Sequence, residues 1–246
     1  MVKEIATLIA IVVVSMNPLA QAGPVAIKKS MANILPDIPI KSIKPSGISG
    51  LFEVRIGTEV YYVTSDGRFL VSGDIIDMKS GRNLTAIARG QVRLELINAV
   101  SEDKMIIYKP RKTKRTITVF TDIDCIYCRK FHKDVPTLVK GGIRIRYIVF
   151  PRDGLSTSTY QKSVAVWCSR DRKKALTLAK AGGKLKSQTC ANPIAEHYEL
   201  AARVGVRGTP TLITDDGQIL SGYVPPDKLF ALLGIDNKSS ITGSAK

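Results

Sequence analysis

The 246-residue sequence has few of the residues that hold metals, haem or nucleic acids. It contains two histidines, one tryptophan and 6% aromatic residues. A structural zinc site needs four ligands, and neither a second CxxC nor a histidine pair is present to complete one. We therefore expect no metal and no other cofactor. The basic runs lack the interleaved aromatic residues that stack on bases, so we also expect no nucleic-acid partner.

Acidic residues are scarce as well. There are 21 Asp and Glu against 37 Lys and Arg, which gives a formal net charge of +16. Basic residues are dense at 109–115 and again at 169–174. Such runs attract anionic partners or lipid headgroups, or they are simply solvated surfaces. We favour the second interpretation and assign these runs no partner.

Long apolar runs are missing except near the N-terminus. The run from Ile5 to Val14 is about half of the ~20 residues that span a bilayer. Lys3 precedes it, and the small-x-small pattern Ala20-Gln21-Ala22 follows. This layout is typical of a secretory signal peptide over residues 1–22, with a membrane anchor as the alternative. We therefore expect the mature chain to begin at Gly23 and to be exported.

The expected export of the chain affects how its four cysteines are interpreted. An even number of cysteines in an oxidising compartment suggests disulfides. Four cysteines allow three pairings, and the close spacing of Cys125 and Cys128 leaves Cys168 with Cys190 as the natural second pair.

The patterns of apolar residues differ between the N-terminal and C-terminal parts of the chain and indicate two different folds. Alternating apolar residues and an Asp-Gly turn between Ile40 and Leu70 predict a small sheet with a free edge and little core of its own. From Arg115 onward, strands alternate with helices in a thioredoxin-like order, with helices inserted in the middle. The predicted helices are 25–35, a helix capped by Asn83, one from Cys125 to Pro136, 157–169, 171–181, Pro193 to Val204, and one capped by Asp227.

The sequence FTDIDCIYCRK places Cys125 and Cys128 where a predicted strand (115–120) meets a helix. A haem-binding motif would need histidine after the second cysteine, where Arg129 stands. An inert disulfide is the remaining alternative. At a helix N-terminus, unpaired N–H groups favour a thiolate, so the pKa of Cys125 should fall and Cys128 should act as the resolving thiol.

Two neighbouring carboxylates oppose this shift. Asp122 and Asp124 disfavour a thiolate by like charge, while Arg129 and Lys130 can offset them. Downstream, Thr209-Pro210 begins a further predicted strand. In a thioredoxin-like fold we expect this proline to be cis and to lie against the CxxC, leaving the Thr209 backbone free to pair with an extended substrate. A trans proline at an edge strand is the alternative.

Together these motifs resemble the periplasmic thiol–disulfide isomerases of the DsbC type over nearly the whole mature chain. The similar blocks occur in the same order: ITVFTDIDCIYC, FPRDGL, VWCSRD, HYELAARVGVRGTP and GYVPP. The resemblance implies a V-shaped homodimer. Its segments would be an α+β, cystatin-like dimerisation domain (23–82), a linker helix (83–102) and an α/β thioredoxin-like catalytic domain with a helical insertion (103–246).

The resemblance also assigns residues. It implies that Cys125 is the nucleophile, that Cys128 resolves, that Thr209 and Pro210 contact substrate, and that Cys168–Cys190 is a structural disulfide. Ile126 departs from the family, whose best-known members carry glycine there.

The activity implied is isomerisation or reduction of wrong disulfides in misfolded exported proteins, with electrons from a DsbD-like membrane protein. A chaperone-like clamp and a disulfide-donating oxidase are the alternative functions.

Overall fold

The computed structural model describes residues 19–236, with side chains from residue 23 onward. The predicted signal peptide therefore lies almost entirely outside the described residues. By its internal contacts the chain separates into two compact units, with the division between Gly73 and Asp74. Within residues 19–236, no helix is both long and apolar enough to span a bilayer.

The first unit is one helix packed on a four-stranded antiparallel sheet, as expected for a small cystatin-like domain. The helix, predicted over 25–35, begins earlier than expected. Ile27 and Met31 on this helix pack against Val54 and Val63 of the sheet to form a small core. The strand order is β1-β2-β3-β4, and the elements are α1 (Leu19–Ile34), β1 (Ile40–Pro45), β2 (Leu51–Ile56), β3 (Glu59–Thr64) and β4 (Leu70–Val71).

The second unit opens with a two-stranded ribbon, β5 (Ile76–Asp77) and β6 (Arg82–Asn83), followed by helix α2 (Leu84–Asn98). Asn83 caps α2 as predicted, because its side chain accepts a hydrogen bond from the N–H of Ala86.

Helix α2 packs on the rest of this unit. Ile97 is fully buried there. A Cβ atom at Gly90 would lie 3.2 Å from the carbonyl oxygen of Gly217, so the glycine that weakens this helix permits the close approach.

The centre of the second unit is a five-stranded sheet with the order β11-β10-β8-β9-β7. Strands β8 and β9 are parallel, and the other neighbours are antiparallel. Edge strand β7 was not predicted because it contains only three residues. The strands are β7 (Ile106–Tyr108), β8 (Arg115–Thr121), β9 (Ile143–Val149), β10 (Thr211–Thr214) and β11 (Ile219–Ser221).

Five helices surround this sheet: α3 (Ile126–Lys140), α4 (Ser158–Trp167), α5 (Arg172–Lys180), α6 (Ile194–Val204) and α7 (Pro226–Leu232). Helix α3 continues through Pro136 instead of ending there. Asp227 is not the cap of α7: Pro225 takes that position and Asp227 lies in the first turn, because proline fits the start of a helix, where the N–H has no intrahelical partner. The fold is thioredoxin-like, with α4 and α5 as the helical insertion.

Strand β8 lies in the middle of the sheet and contributes to cores on both of its faces. Ile117 and Val119 belong to one buried cluster and Phe120 to the other. The strand is therefore held rigidly, and its carboxyl end leads directly into the segment that carries Cys125.

Candidate active site

The turn between β8 and α3 is organised by the buried carboxylate of Asp122, which is 1% exposed. It accepts hydrogen bonds from the backbone N–H groups of Asp124 (2.8 Å), Cys125 (3.2 Å) and Arg152 (3.0 Å). From the sequence, Asp122 was expected only to disfavour the thiolate by its charge. In the structure, it fixes the backbone on which Cys125 sits.

Cys125 is the N-cap residue of α3. Its thiol donates a hydrogen bond to the carbonyl oxygen of Thr209 at 3.2 Å. Burial raises the pKa of the Cys125 thiol. The nearby Thr209 hydroxyl and the backbone N–H groups of Cys128 and Tyr127 favour the thiolate and outweigh burial, so the pKa of Cys125 lies below its ordinary value. The buried Thr209 hydroxyl itself makes no hydrogen bond to any of the described residues.

Cys128 follows one turn later and is fully buried. The backbone N–H of Asp122 lies 3.5 Å from its sulfur. Burial raises the pKa of Cys128 above its ordinary value, although Lys180 and the Thr121 hydroxyl act in the opposite direction. Both thiols are buried, with exposed fractions of 2% for Cys125 and 0% for Cys128. It is the direction of the pKa shift that distinguishes the two thiols.

Lys180 is a buried residue of this site that sequence analysis did not identify. Its ammonium nitrogen donates to the Thr121 hydroxyl (2.8 Å) and to the carbonyl oxygen of Asp122 (3.0 Å). Burial lowers the pKa of Lys180 to about 8, and the nearby Cys128 and Asp122 partly offset this effect. The available signal was helical spacing, because Lys180 lies four residues after the buried Leu176 in α5.

Asp124 carries a compensated charge. It pairs with Arg129 (3.0 Å) and Lys162 (2.9 Å) and accepts a hydrogen bond from Thr159. Burial raises the pKa of Asp124, but the hydrogen bonds from Lys162 and Thr159 outweigh it and hold the pKa below its ordinary value. The expected contribution of Lys130 is absent from this ion pair, since its ammonium lies 4.4 Å from the centre of the Tyr223 ring.

Two exposed apolar residues adjoin the thiols. Ile126 is 77% exposed and Tyr127 is 61% exposed, at the first turn of α3. The peptide bond between Thr209 and Pro210 is cis, and the structure brings this loop against Cys125. The site can therefore offer a stabilised thiolate, a second buried thiol and an apolar surface within one turn of chain.

The other two cysteines form a separate pair. Cys168 and Cys190 are joined by a disulfide that links the end of α4 to the segment before α6, whereas Cys125 and Cys128 are free thiols. His132 lies between Tyr147 and Thr177, within hydrogen-bond distance of both. Across the described residues, histidines, cysteines and carboxylates form no group of three or more suited to a metal ion.

A thioredoxin-like fold with a dithiol at the N-terminus of a helix and a cis-proline loop against it defines a thiol–disulfide oxidoreductase. Comparison with known families agrees with this class. A thioredoxin-like domain model matches residues 102–234, and a model of the N-terminal domain of disulfide bond isomerase proteins matches residues 18–86.

Relatives extend the similarity to almost the full length. The thiol:disulfide interchange protein DsbC of Dickeya dadantii is 33% identical over 241 residues, covering 98% of this chain and 99% of the relative. DsbC of Escherichia coli K12 is 34% identical over 210 residues, covering 85% and 87%. The crystal structure of a disulfide interchange protein from Neisseria gonorrhoeae is 31% identical, covers 55% of this chain and 96% of its own, and has a TM-score of 0.49.

The chain belongs to the DsbC family of thiol:disulfide interchange proteins. Its activity is that of a disulfide isomerase, a thiol–disulfide oxidoreductase, as the resemblance found in the sequence implied.

Proposed function

We propose that Cys125 attacks substrate disulfides and that Cys128 resolves the product. The observation that carries this assignment is the opposite direction of the two pKa shifts, lowered for Cys125 and raised for Cys128. A thiolate is the nucleophile in thiol–disulfide exchange, and the more acidic thiol is also the better leaving group. Cys125 suits both roles, and Cys128 suits neither until it loses its proton.

The exchange proceeds in two steps. The Cys125 thiolate forms a bond to one sulfur of a substrate disulfide, and the other substrate sulfur leaves as a thiolate. A substrate thiolate can then displace Cys125, which rearranges the disulfide. Alternatively Cys128 displaces the substrate, which reduces it and leaves Cys125 and Cys128 joined.

Substrate recognition is assigned to the surface around Cys125. We expect the backbone of Thr209 beside Pro210 to pair with an extended stretch of substrate. The exposed side chains of Ile126 and Tyr127 supply an apolar contact suited to a misfolded chain, whose apolar residues are exposed.

The test is to trap the intermediate. Cys128→Ser, mixed with scrambled lysozyme, should accumulate a mixed disulfide that non-reducing electrophoresis and mass spectrometry locate on Cys125. Cys125→Ser should accumulate none. Trapping by Cys125→Ser, or equal trapping by both variants, would show that the roles are assigned wrongly.

A holding function is the second candidate, because Ile126 and Tyr127 give the site an exposed apolar surface. The variant with both Cys125 and Cys128 changed to alanine separates the two functions. If it supports lysozyme refolding as well as the unchanged protein does, holding dominates. We expect this variant to support lysozyme refolding only as well as a protein that suppresses aggregation without exchanging disulfides.

Export to the periplasm follows from the signal peptide assigned to residues 1–22. A mature chain beginning at Gly23 would meet disulfide-containing exported proteins there, and a DsbD-like membrane protein would reduce Cys125 and Cys128 again. Rapid alkylation in intact cells tests this cycle. A reduced pair supports isomerisation or reduction, whereas an oxidised pair favours a disulfide donor.

Homodimerisation is assigned to residues 23–82, followed by the linker helix (83–102) and the catalytic domain (103–246). Strand β4 is the edge of the first sheet, and Leu70 and Val71 on it are each 47% exposed. An apolar free edge pairs readily with another strand, and a two-fold axis closes such an assembly at two chains. Light scattering should give a dimer for the unchanged chain and a monomer for Leu70→Lys/Val71→Lys. A monomeric unchanged chain at micromolar concentration would contradict the assignment.

A further inference from the structure

The buried ammonium of Lys180 and the sulfur of Cys128 both make hydrogen bonds to residues 121 and 122, at the end of β8. Lys180 is 5% exposed and donates to the Thr121 hydroxyl at 2.8 Å. The Cys128 sulfur accepts a hydrogen bond from the Asp122 N–H at 3.5 Å, and the neighbouring Thr121 hydroxyl favours the Cys128 thiolate. Thr121 is 1% exposed and Cys128 is 0% exposed, so the hydroxyl and the thiol are both shielded from bulk water.

The two acceptors of Lys180, a hydroxyl and a backbone carbonyl, are both uncharged. Burying an ammonium that is bound only to neutral groups costs free energy. The cost is removed if the ammonium loses its proton or if an anion forms nearby. The Cys128 thiolate is that anion. A thiol beside a neutral amine and a thiolate beside an ammonium contain the same proton, and neither pair carries a net charge.

We propose that Lys180 accepts the proton of Cys128 through the Thr121 hydroxyl and so produces the thiolate that resolves the mixed disulfide. The inference rests on the proposed role of Cys128 as the resolving thiol. Lys180 does not touch the reacting sulfur, and it acts through Thr121.

The step balances without another reactant. The Thr121 hydroxyl gives its proton to neutral Lys180 and takes the proton of Cys128. The Cys128 thiolate then forms a bond to the sulfur of Cys125, and the bond from Cys125 to the substrate breaks. The substrate leaves as a thiolate. Once Cys128 is in a disulfide, its charge is gone, and Lys180 releases the proton to solvent or to the departing thiolate.

The surroundings of Lys180 support both of its protonation states. Asp122 and the two thiols favour the ammonium, whereas burial and Arg129 favour the neutral amine, and the pKa of about 8 leaves both accessible near neutral pH. His132, with a pKa lowered to about 4 by burial and by Lys180, is neutral there. Lys180, Arg129 and His132 also line a groove of about 330 Å³, which offers a route for the proton to reach solvent.

The consequence concerns the fate of the mixed disulfide. Fast deprotonation of Cys128 shortens the lifetime of the mixed disulfide and favours reduction of the substrate, whereas slow deprotonation gives the substrate time to rearrange. Lys180 therefore sets the ratio of reduction to isomerisation.

The test uses Ellman's reagent and the full mature chain in stopped flow. The first thionitrobenzoate is released when Cys125 attacks, at a rate proportional to reagent concentration. The second is released when Cys128 resolves, at a rate independent of reagent concentration. The two phases therefore report the two thiols separately, and each can be followed against pH.

Four variants isolate the proton path. Lys180→Met removes the ammonium at similar size, and Thr121→Val removes the hydroxyl, whereas Thr121→Ser keeps it. Lys174→Met is the matched control, because it removes an 88% exposed ammonium from the same helix.

For Lys180→Met we expect the second phase at pH 7 to slow about tenfold and its pH midpoint to rise by about one unit, which correspond to one pKa unit. Thr121→Val should slow the second phase at least about threefold, with Thr121→Ser and Lys174→Met near the unchanged rate. The first phase should change less than twofold in all four.

Second phases with unchanged rate and midpoint in both Lys180→Met and Thr121→Val would overturn the inference. Equal slowing by Thr121→Ser and Thr121→Val would also overturn it, because a hydroxyl would then not matter. If Lys180→Met does not fold, the comparison of the two Thr121 variants decides. The assignment of the two thiols is tested separately from the role of Lys180. It is wrong if Cys125→Ser retains the fast first phase or if Cys128→Ser retains the second phase.

Discussion

Replacement of Asp122 by alanine should destabilise the second unit more than almost any other single change to a polar residue. The carboxylate is the common acceptor for three backbone N–H groups, from Asp124, Cys125 and Arg152. A hydrogen bond to a charged group contributes about 1.5–3 kcal/mol, and a buried donor left unsatisfied costs about 1–3 kcal/mol. The three bonds share one acceptor and water can enter the space, so we expect a total loss of about 3–5 kcal/mol.

Asp122→Asn should give a graded result. Its amide oxygen can still accept from Asp124 and Cys125, but its NH₂ group then faces the N–H of Arg152, where two donors meet. We expect a loss of about 1–3 kcal/mol, since one of the three bonds is replaced by a repulsive contact. Both changes also remove a negative charge that raises the pKa of Lys180.

The measurement is urea unfolding followed by fluorescence of Trp167. This is the only tryptophan in the sequence and it lies in the core of the second unit, so the signal reports that unit alone. Asp153→Ala is the matched control, because that carboxylate is 63% exposed and its only ion pair within residues 19–236, with the neighbouring Arg152, is 3.6 Å long. A free energy of unfolding for Asp122→Ala within about 1 kcal/mol of the control would refute the reasoning, since lost bonds to a charged acceptor cost more than that.

Three further predictions use the same protein. Changing Cys168 and Cys190 to alanine opens a link between residues 22 apart in sequence and should lower the free energy of unfolding by about 3 kcal/mol; unchanged tryptophan-detected unfolding would contradict this. His132 and His197 have pKa values lowered to about 4 by burial, so the unfolded chain binds more protons. Stability is then fully present above about pH 6.5 and is lost as the pH falls toward 4, by about 2 kcal/mol per histidine at pH 5. If the free energy of unfolding of His132→Gln depends on pH in the same way as that of the unchanged protein, this explanation is wrong. Ile126→Ala should raise the KM for scrambled lysozyme about fivefold, because about 1 kcal/mol of apolar contact with the substrate is lost. The reaction with Ellman's reagent should not slow. An unchanged KM would argue against an apolar contact at Ile126.

The sequence was sufficient to predict the elements that present the two thiols. The apolar, β-like run at 115–120 predicted strand β8, and the helix expected to start around Cys125 begins at Ile126 with Cys125 as its cap. These signals are local: apolar periodicity, capping residues and the junction between a strand and a helix. The Asn83 cap was predictable for the same reason.

The features that were missed depend on contacts between distant segments. Lys180 contacts Thr121 across a separation of 59 residues. Helical spacing from Leu176 places Lys180 on the buried side of α5 but does not indicate what it contacts there. The contact between Gly90 and Gly217 is of the same kind. Two of the hydrogen bonds to Asp122 come from the turn after β8, and the third comes from Arg152 after β9. They form only once β8 and β9 are paired in the sheet.

Under the proposed assignments, the difference between the two thiols has a kinetic purpose. Cys125 favours the thiolate before any substrate arrives, because the Thr209 hydroxyl and backbone N–H groups at the start of α3 lower its pKa. Cys128 is held as a thiol by burial, so it does not resolve the mixed disulfide as soon as that bond forms. The delay gives a substrate thiolate time to attack, and rearrangement requires that time. Lys180 limits the delay, because a proton acceptor connected to Cys128 through Thr121 lets the enzyme release a substrate that does not rearrange. A single buried turn can therefore support both rearrangement and escape, with the relative rates set by groups that never contact the substrate.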